Sequence, residues 1–435
     1  MNTDSQDYVQ WFRQSSPYIN AHRGKTFVLM LSGEALAHEN FQNTVHDIAL
    51  LNSLGVRLVI VHGARPQINA LLQTRGIAPH YHGNKRITDN ATLEVVQQAV
   101  GQLRAQIEAR LSAGMANSPM HGADIRVVGG NLVIAKPIGV IDGVDLAHTG
   151  EVRRIDVPAI KRMLDNNAIV LLNCLGYSRT GEVFNLSVED VAMQTAISLQ
   201  ADKLILLGEK SGLHDANGNM VRELSLTDRI PFNPQHLDEE NLRLFNCAMH
   251  AVQKGVARCH LISYTKDGAL LNELFTLDGN GTLISHSPQE QLRAASIEDV
   301  GGILELLAPL EEQGILVRRS REMLENEIDR FMLLVKDGMV LGCAALYSYE
   351  NNMAELACVA IHLDYQGGGR AERLLRAIEK NAKQKGIEQL FVLTTRTAHW
   401  FVERGFKPAG VDALPEYKKQ MYNFQRNSKV FIKSL

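Results

Sequence analysis

Apolar residues in this chain fall into short runs and helical stripes that alternate regularly up to about residue 285. Thr26–Leu31 is a short apolar run, Asn40–Leu54 has helical spacing stopped by Gly55, Val56–Val61 is a second run, and Pro66–Gln73 is helical again. Short runs bounded by turn residues suit buried strands, and longer periodic segments suit amphipathic helices. The rhythm continues through Ala168–Leu172, helical Val188–Gln200, Lys203–Leu207, helical Asn241–Lys254 and Cys259–Ser263. Such alternation predicts an α/β domain over residues 21–285, a parallel sheet covered by helices. Polar His286–Gln291, which contains Pro288, predicts a connector.

Beyond it the pattern changes. Ser296–Leu307 is helical, and Phe331–Lys336 with Met339–Tyr347 flank Asp337-Gly338, a dipeptide suited to a tight hairpin turn. Residues 292–435 are therefore expected to form an α+β domain. In the segment 1–20, Tyr8, Trp11 and Phe12 recur at helical spacing on one face. That face either packs on its own domain or docks a second subunit.

Composition narrows the function classes. A chain of 435 residues has room for more than one core, and Lys plus Arg total 45 against 48 Asp plus Glu, a formal −3. No cationic excess exists to follow a nucleic acid, so that partner is not expected. The five cysteines, Cys174, Cys247, Cys259, Cys343 and Cys358, are odd in number and scattered, which suits a reducing cytoplasm and neither a zinc site nor a redox dithiol. Met1–Asp7 carries no export signature and no apolar stretch is long enough to span a bilayer, so neither export nor membrane insertion is expected. His80 and His82 lack a third ligand at metal spacing, and no metal is expected.

Chemistry concentrates late in the chain. Met353–Ile361 reads as a buried strand, followed by the loop Asp364-Tyr365-Gln366-Gly367-Gly368-Gly369-Arg370 and a helix with Ala371, Leu374, Leu375, Ile378 and Ala382 on one face. A strand, a glycine-rich turn and a helix N-terminus aim backbone N–H groups at one point, which suits a pyrophosphate. Gln366 to Ala371 fits the Q/R-x-x-G-x-G/A loop of the GNAT acetyltransferases, and Leu292–Asp299, Leu390–Thr394, His399-Trp400-Phe401 and Gly405-Phe406 resemble other parts of that fold. The resemblance covers residues 291–435. It implies acetyl-CoA as co-substrate, with coenzyme contacts at Val359, Ile361, Gln366, Gly367, Gly368, Gly369, Arg370 and Ala371.

Acyl transfer to an amine needs a base and a donor for the carbonyl oxygen. Glu355 is the only carboxylate within Met353–Ile361, and the resemblance makes it the base, acting through water. Cys358 has no histidine near it in sequence; it reads as a small buried residue whose backbone N–H is a candidate for the acetyl carbonyl. Many GNAT enzymes have a tyrosine acid four residues before the G-F glycine, where this chain has Phe401. The acid is then another group, Thr394 or Thr395, or none. Arg318, Arg319 and Arg321, with Lys418, Lys419, Arg426 and Lys429, form two cationic clusters. Guanidinium forks bind carboxylates, so Arg318, Arg426 and Ser428 are the candidates for holding a dicarboxylic amino acid.

Residues 20–285 resemble the amino-acid kinase family, specifically N-acetylglutamate kinase, through Phe27–Gly33, the run His62 to Ile68, Gly83–Asp89, Asp142–Ile155, Phe184–Ala192 and Cys247–Val256. Phosphoryl transfer needs cations, and the two lysine positions of such kinases fall on Met30 and Leu244; the aspartate position falls on Glu189. The resemblance thus implies the fold without the activity. A kinase fold of this kind fused to a GNAT domain resembles the bacterial N-acetylglutamate synthase family. That resemblance implies synthesis of N-acetyl-L-glutamate from acetyl-CoA and L-glutamate, feedback inhibition by L-arginine bound around Tyr18, Glu273, Gly279, Gly281 and Thr282, and a homo-oligomer, with a hexamer among the candidates. Two rivals stand beside it: an active kinase with an accessory acetyltransferase, and an arginine sensor whose GNAT domain is inert.

Overall fold

A computed structural model of the chain describes residues 5–114, 118–227, 232–367 and 369–435. The chain divides into two units, Met1–Pro288 and Gln289–Leu435.

In the first unit the apolar runs become the inner strands of an eight-stranded sheet. Its order is Glu223–Ser225, Thr282–Ser285, Arg258–Ser263, Lys203–Gly208, Thr26–Leu31, Arg57–His62, Ile169–Asn173 and Val127–Val128. Thr26–Leu31 is parallel to both of its neighbours, whereas Thr282–Ser285 is antiparallel to Arg258–Ser263. Phe27, Leu29 and Leu31 join one buried cluster, and Val28 and Met30 join another. Burial on both faces explains why these strands read as continuous apolar runs. A four-stranded sheet ordered Val183–Asn185, Leu175–Tyr177, Val133–Pro137, Gly150–Ile155 accompanies it.

The N-terminal helix is Ser5–His22. Tyr18 and Ile19 pack on the core and His22 is buried, its Nε2 2.7 Å from the Leu274 carbonyl, whereas Trp11 and Phe12 are exposed. Core packing therefore belongs to the helix's last turns, not to the aromatic pair. The side chain of Tyr8 lies outside the described residues.

The second unit is a seven-stranded sheet ordered Glu290–Ala294, Phe331–Lys336, Met339–Ser348, Met353–Ile361, Gln389–Thr394, Lys429–Ser434, Lys407–Ala409. Helices Val300–Glu312 and Arg370–Gln384 pack on it, the latter through Leu374, Leu375, Ile378 and Ala382. Asp337-Gly338 makes the expected turn, with Asp337 at φ 50° and Gly338 at φ 82°. One boundary differs from expectation: Glu290 and Gln291, read as connector, open the edge strand Glu290–Ala294, antiparallel to Phe331–Lys336. An edge strand needs no apolar face, so its polar sequence resembles a linker.

Candidate active site

The geometry of the candidate site starts from where two strands part. Met353–Ile361 pairs in parallel with Gln389–Thr394 only at Met353, Ala354 and Glu355; beyond Glu355 no further pair forms among the described residues. On the other side, the ladder to Met339–Ser348 slips between Cys343 and Ala345, and Cys358 takes φ 52°. This is a β-bulge, which turns the strand and frees it from regular pairing. An open strand edge inside a sheet is a place for an extended, amide-bearing ligand to add. Val359 and Ile361 are half-buried on the stretch of strand past this point.

The loop that follows is held in left-handed backbone. Gly367 has φ 90° and Gly369 φ 73°, and among the described residues, each glycine's chain neighbours aside, nothing lies within 4 Å of where either Cβ would stand. Glycine is needed there for conformation, not for space. Gly368 lies outside the described residues. Gly369 is the N-cap of Arg370–Gln384 and has no side chain to offer, so the first-turn N–H groups at Ala371 and Glu372 keep their capacity for an anion. Gln366 is exposed beside them. The Arg370 side chain is engaged elsewhere, donating Nε to Glu290 Oε1 at 2.9 Å and Nη1 to the Tyr365 carbonyl at 3.2 Å. Its share in the loop is its backbone.

Glu355 is buried where the strands part, at 7% exposure. Its Oε2 lies 2.7 Å from Lys418 Nζ and accepts the Tyr349 hydroxyl at 3.2 Å, the pairing that a buried carboxylate needs. Burial, then the Glu355 charge, push the Tyr349 phenol above its ordinary range, so it remains a donor. The Cys358 thiol is pushed up to about 12, chiefly by burial, which leaves it inert as a nucleophile. Phe401 is buried against Trp400 and Phe406. Thr394 Oγ1 is 2.9 Å from Thr397 Oγ1, and Thr395 is exposed.

Of the cationic candidates, Arg318 is exposed, while its neighbour Arg319 is half-buried. Burial opposes the charge on Arg319, but Cys358, Tyr347 and Glu355 outweigh it and raise its pKa, which sets Arg319 near Met353–Ile361 and its neighbouring strand. Arg426 donates to the Ile315 carbonyl, in the same segment, and its buried Nε has no partner among the described residues. The carbonyl of half-buried Ser428 accepts the Tyr422 hydroxyl at 2.6 Å. Sequence reasoning missed Tyr349 and saw Arg319 and Lys418 only as members of charge clusters.

In the first unit, Glu273 is buried and fully engaged. Its Oε1 is 2.6 Å from His260 Nδ1, and its Oε2 accepts the N–H groups of Asn280 at 2.7 Å and Gly281 at 2.9 Å. Burial works to raise the Glu273 carboxyl, but these bonds leave it below its ordinary value. Lys203 Nζ lies 3.2 Å from His260 Nε2, extending the cluster by two residues that the sequence did not single out. Side chains at the two glycines would collide, at Gly279 with Glu273 Oε2 at 2.4 Å and at Gly281 with the Leu261 carbonyl at 2.1 Å. The Thr282 hydroxyl is committed to structure, accepting Leu213 N–H at 2.8 Å and donating to the Val221 carbonyl. Tyr18 is half-buried on the N-terminal helix. A separate cavity of about 620 Å³ in this unit is lined by Met30, Arg65, Arg86, Glu189 and Leu244 among others. Met30 and Leu244 are buried, so its wall has apolar side chains where a kinase would need cations.

A helix-covered parallel sheet followed by a notched sheet with a glycine loop defines a class, an amino-acid-kinase fold joined to a GNAT acetyltransferase. Family models agree: residues 25–263 match the amino acid kinase family and residues 302–406 the acetyltransferase (GNAT) family. The amino-acid acetyltransferase of Pseudomonas aeruginosa is 58% identical over 431 residues, covering 99% of this chain and 100% of that protein, and the one from Azotobacter vinelandii is also 58% identical over 431. Among solved structures, N-acetylglutamate synthase from Neisseria gonorrhoeae complexed with coenzyme A and L-arginine matches with a TM-score of 0.89 and 38% identity, covering 98% of this chain and 99% of that one. The same enzyme complexed with coenzyme A and N-acetyl-glutamate matches with a TM-score of 0.63 and 39% identity over the same shares. The chain belongs to the amino-acid acetyltransferase family, and it is an acetyl-CoA-dependent enzyme.

Proposed function

We propose that this enzyme transfers the acetyl group of acetyl-CoA to the α-amine of L-glutamate, giving N-acetyl-L-glutamate and CoA, and that L-arginine inhibits it from the first unit. The observation that carries the reaction is a buried carboxylate, Glu355, standing where the sheet opens. An ammonium has no lone pair; Glu355, through a water, takes its proton, and the amine then attacks the thioester carbon. The C–N bond forms, the C–S bond breaks, the nitrogen gives up its extra proton to solvent, and the thiolate takes one from solvent or a nearby hydroxyl. The Cys358 N–H, on the bulge, is assigned to the carbonyl oxygen. The loop from Gln366 to Ala371 takes the pyrophosphate, with Val359 and Ile361 along the coenzyme arm. Arg426, whose buried Nε has no partner among the described residues, takes a substrate carboxylate with Ser428, and Arg319 is a better second cation than exposed Arg318.

Arginine is assigned to Tyr18, Glu273, Gly279, Gly281 and Thr282, with Lys203 and His260 added. Support comes from the arginine-bound relative and from the buried carboxylate in this cluster. Exposed Val9, Trp11 and Phe12 on the first helix support a homo-oligomer. Five buried free thiols support a cytoplasmic setting.

Glu355→Gln tests the reading. It keeps the shape and removes the base, so kcat should fall by about 10²–10⁴ and the acidic limb of the pH profile should vanish, while KM for acetyl-CoA holds. A kcat within a few-fold of wild type would leave Glu355 structural.

A further inference from the structure

We infer that Glu290 is a positioning residue for the coenzyme, fixing the pyrophosphate loop from the edge strand by way of Arg370. The inference rests on the assignment of that loop to the pyrophosphate. The Glu290 side chain is 12% exposed and its oxygens divide between two guanidinium groups. Oε1 accepts Nε of Arg370 at 2.9 Å and also its Nη2; Oε2 accepts Nη1 of Arg373 at 2.7 Å. Arg370 donates its remaining Nη1 to the Tyr365 carbonyl at 3.2 Å.

Tyr365 and Arg370 stand at the two ends of the glycine run. One guanidinium therefore ties both ends of the loop together, and Glu290 holds that guanidinium. The need for such a brace follows from the loop's own chemistry. Gly367 and Gly369 supply the left-handed turns but no stiffness, and an anion cradle made of backbone N–H groups works only if those groups converge beforehand. An exposed ion pair would do little for this. Here the Arg370 side chain is 18% exposed and the carboxylate 12%, in the range where geometry is held.

Electrostatics gives the test an unambiguous sign. A carboxylate near a pyrophosphate repels it, so if Glu290 acts on the coenzyme only through its charge, its removal tightens binding. If Glu290 positions the loop, its removal weakens binding. Coenzyme A would be titrated calorimetrically into the full-length wild type, Glu290→Gln, Arg370→Met and the double variant, each checked for folding by thermal melting. Glu290→Gln should weaken coenzyme A by at least about tenfold, the scale of one charge-assisted hydrogen bond. The double variant should be no weaker than the worse single, because both changes break the same brace. In turnover, KM for acetyl-CoA should rise while kcat at saturation stays within about twofold. Glu290→Asp, which keeps the charge, should recover part of the loss; it replaces Glu290→Gln as the test variant, with weaker binding expected, if the glutamine variant does not fold. Unchanged or tighter coenzyme binding in the folded test variant, or additive losses in the double, would overturn the inference. Gly369→Asp serves as the control for the underlying assignment. If it too binds coenzyme A normally, the loop assignment falls; if it alone loses coenzyme A, only the role of Glu290 does.

Discussion

His260 satisfies two buried neighbours at once only as a neutral imidazole protonated on Nδ1, which donates to Glu273 while Nε2 accepts from Lys203. Burial, then the Lys203 charge, lower its pKa to about 4. The same two causes, in that order, hold His22 at about 4. The ordinary value is 6.5, so as pH falls through the interval from 6.5 to 4 the unfolded chain binds protons that the folded one refuses. Stability present at pH 7 is therefore lost on acidification, by about 2 kcal/mol per histidine at pH 5. Urea unfolding at the two pH values should show the first unit's transition moving to lower urea, and a midpoint unmoved by pH would contradict the neutral-histidine reading. Glu273 was legible in the sequence because a family pattern pointed at it. His260 and Lys203 were not, because each sits in an apolar run, where a polar residue reads only as part of a strand. The same limit set Arg318 ahead of Arg319: spacing finds a cluster of cations, but only the fold decides which one turns toward the sheet.

Among elements, the loop and helix from Gln366 to Gln384 were the most legible, since glycines, an apolar stripe and a stop residue all agreed. The sequence did not reveal that the loop's charged flank reaches back some 80 residues to the edge strand. Nor did it reveal the edge strand itself, whose polar residues look like those of a linker. Gly369→Asp is expected to abolish most coenzyme binding for two separable reasons, a left-handed φ of 73° that a side chain disfavours and a negative charge set at a helix N-terminus. Gly369→Ala carries only the first. Calorimetry with coenzyme A should rank wild type above alanine and alanine above aspartate, with far-ultraviolet circular dichroism almost unchanged throughout. Equal losses in the two variants would mean that backbone strain, not charge, accounts for the effect.

For the molecule as a whole, regulation requires that arginine favour one of two states that differ in catalytic competence. Tyr18→Cys, on the N-terminal helix, should leave uninhibited kcat and both KM values near wild type while raising the arginine needed for inhibition, by about 5–150-fold if a typical coupling is lost. Saturating glutamate should fail to relieve inhibition in the wild type; complete relief would make arginine a plain competitor in the catalytic cleft. Gly281→Ser is a poorer probe than its place in the cluster suggests, because the added side chain meets the Leu261 carbonyl at 2.1 Å and disturbs the sheet itself.

The strand order of the second unit also bears on synthesis. Lys429–Ser434, the last of this sheet's strands in chain order, lies between Gln389–Thr394 and Lys407–Ala409, inside the sheet and not at its rim. On the ribosome the first unit can close while the second is still emerging, yet the second cannot complete its sheet until Lys429–Ser434 has emerged. For that interval the nascent chain carries a closed first unit and an open-edged second one. Two strand rims, those of Gln389–Thr394 and Lys407–Ala409, stay exposed until that one strand fills the space between them.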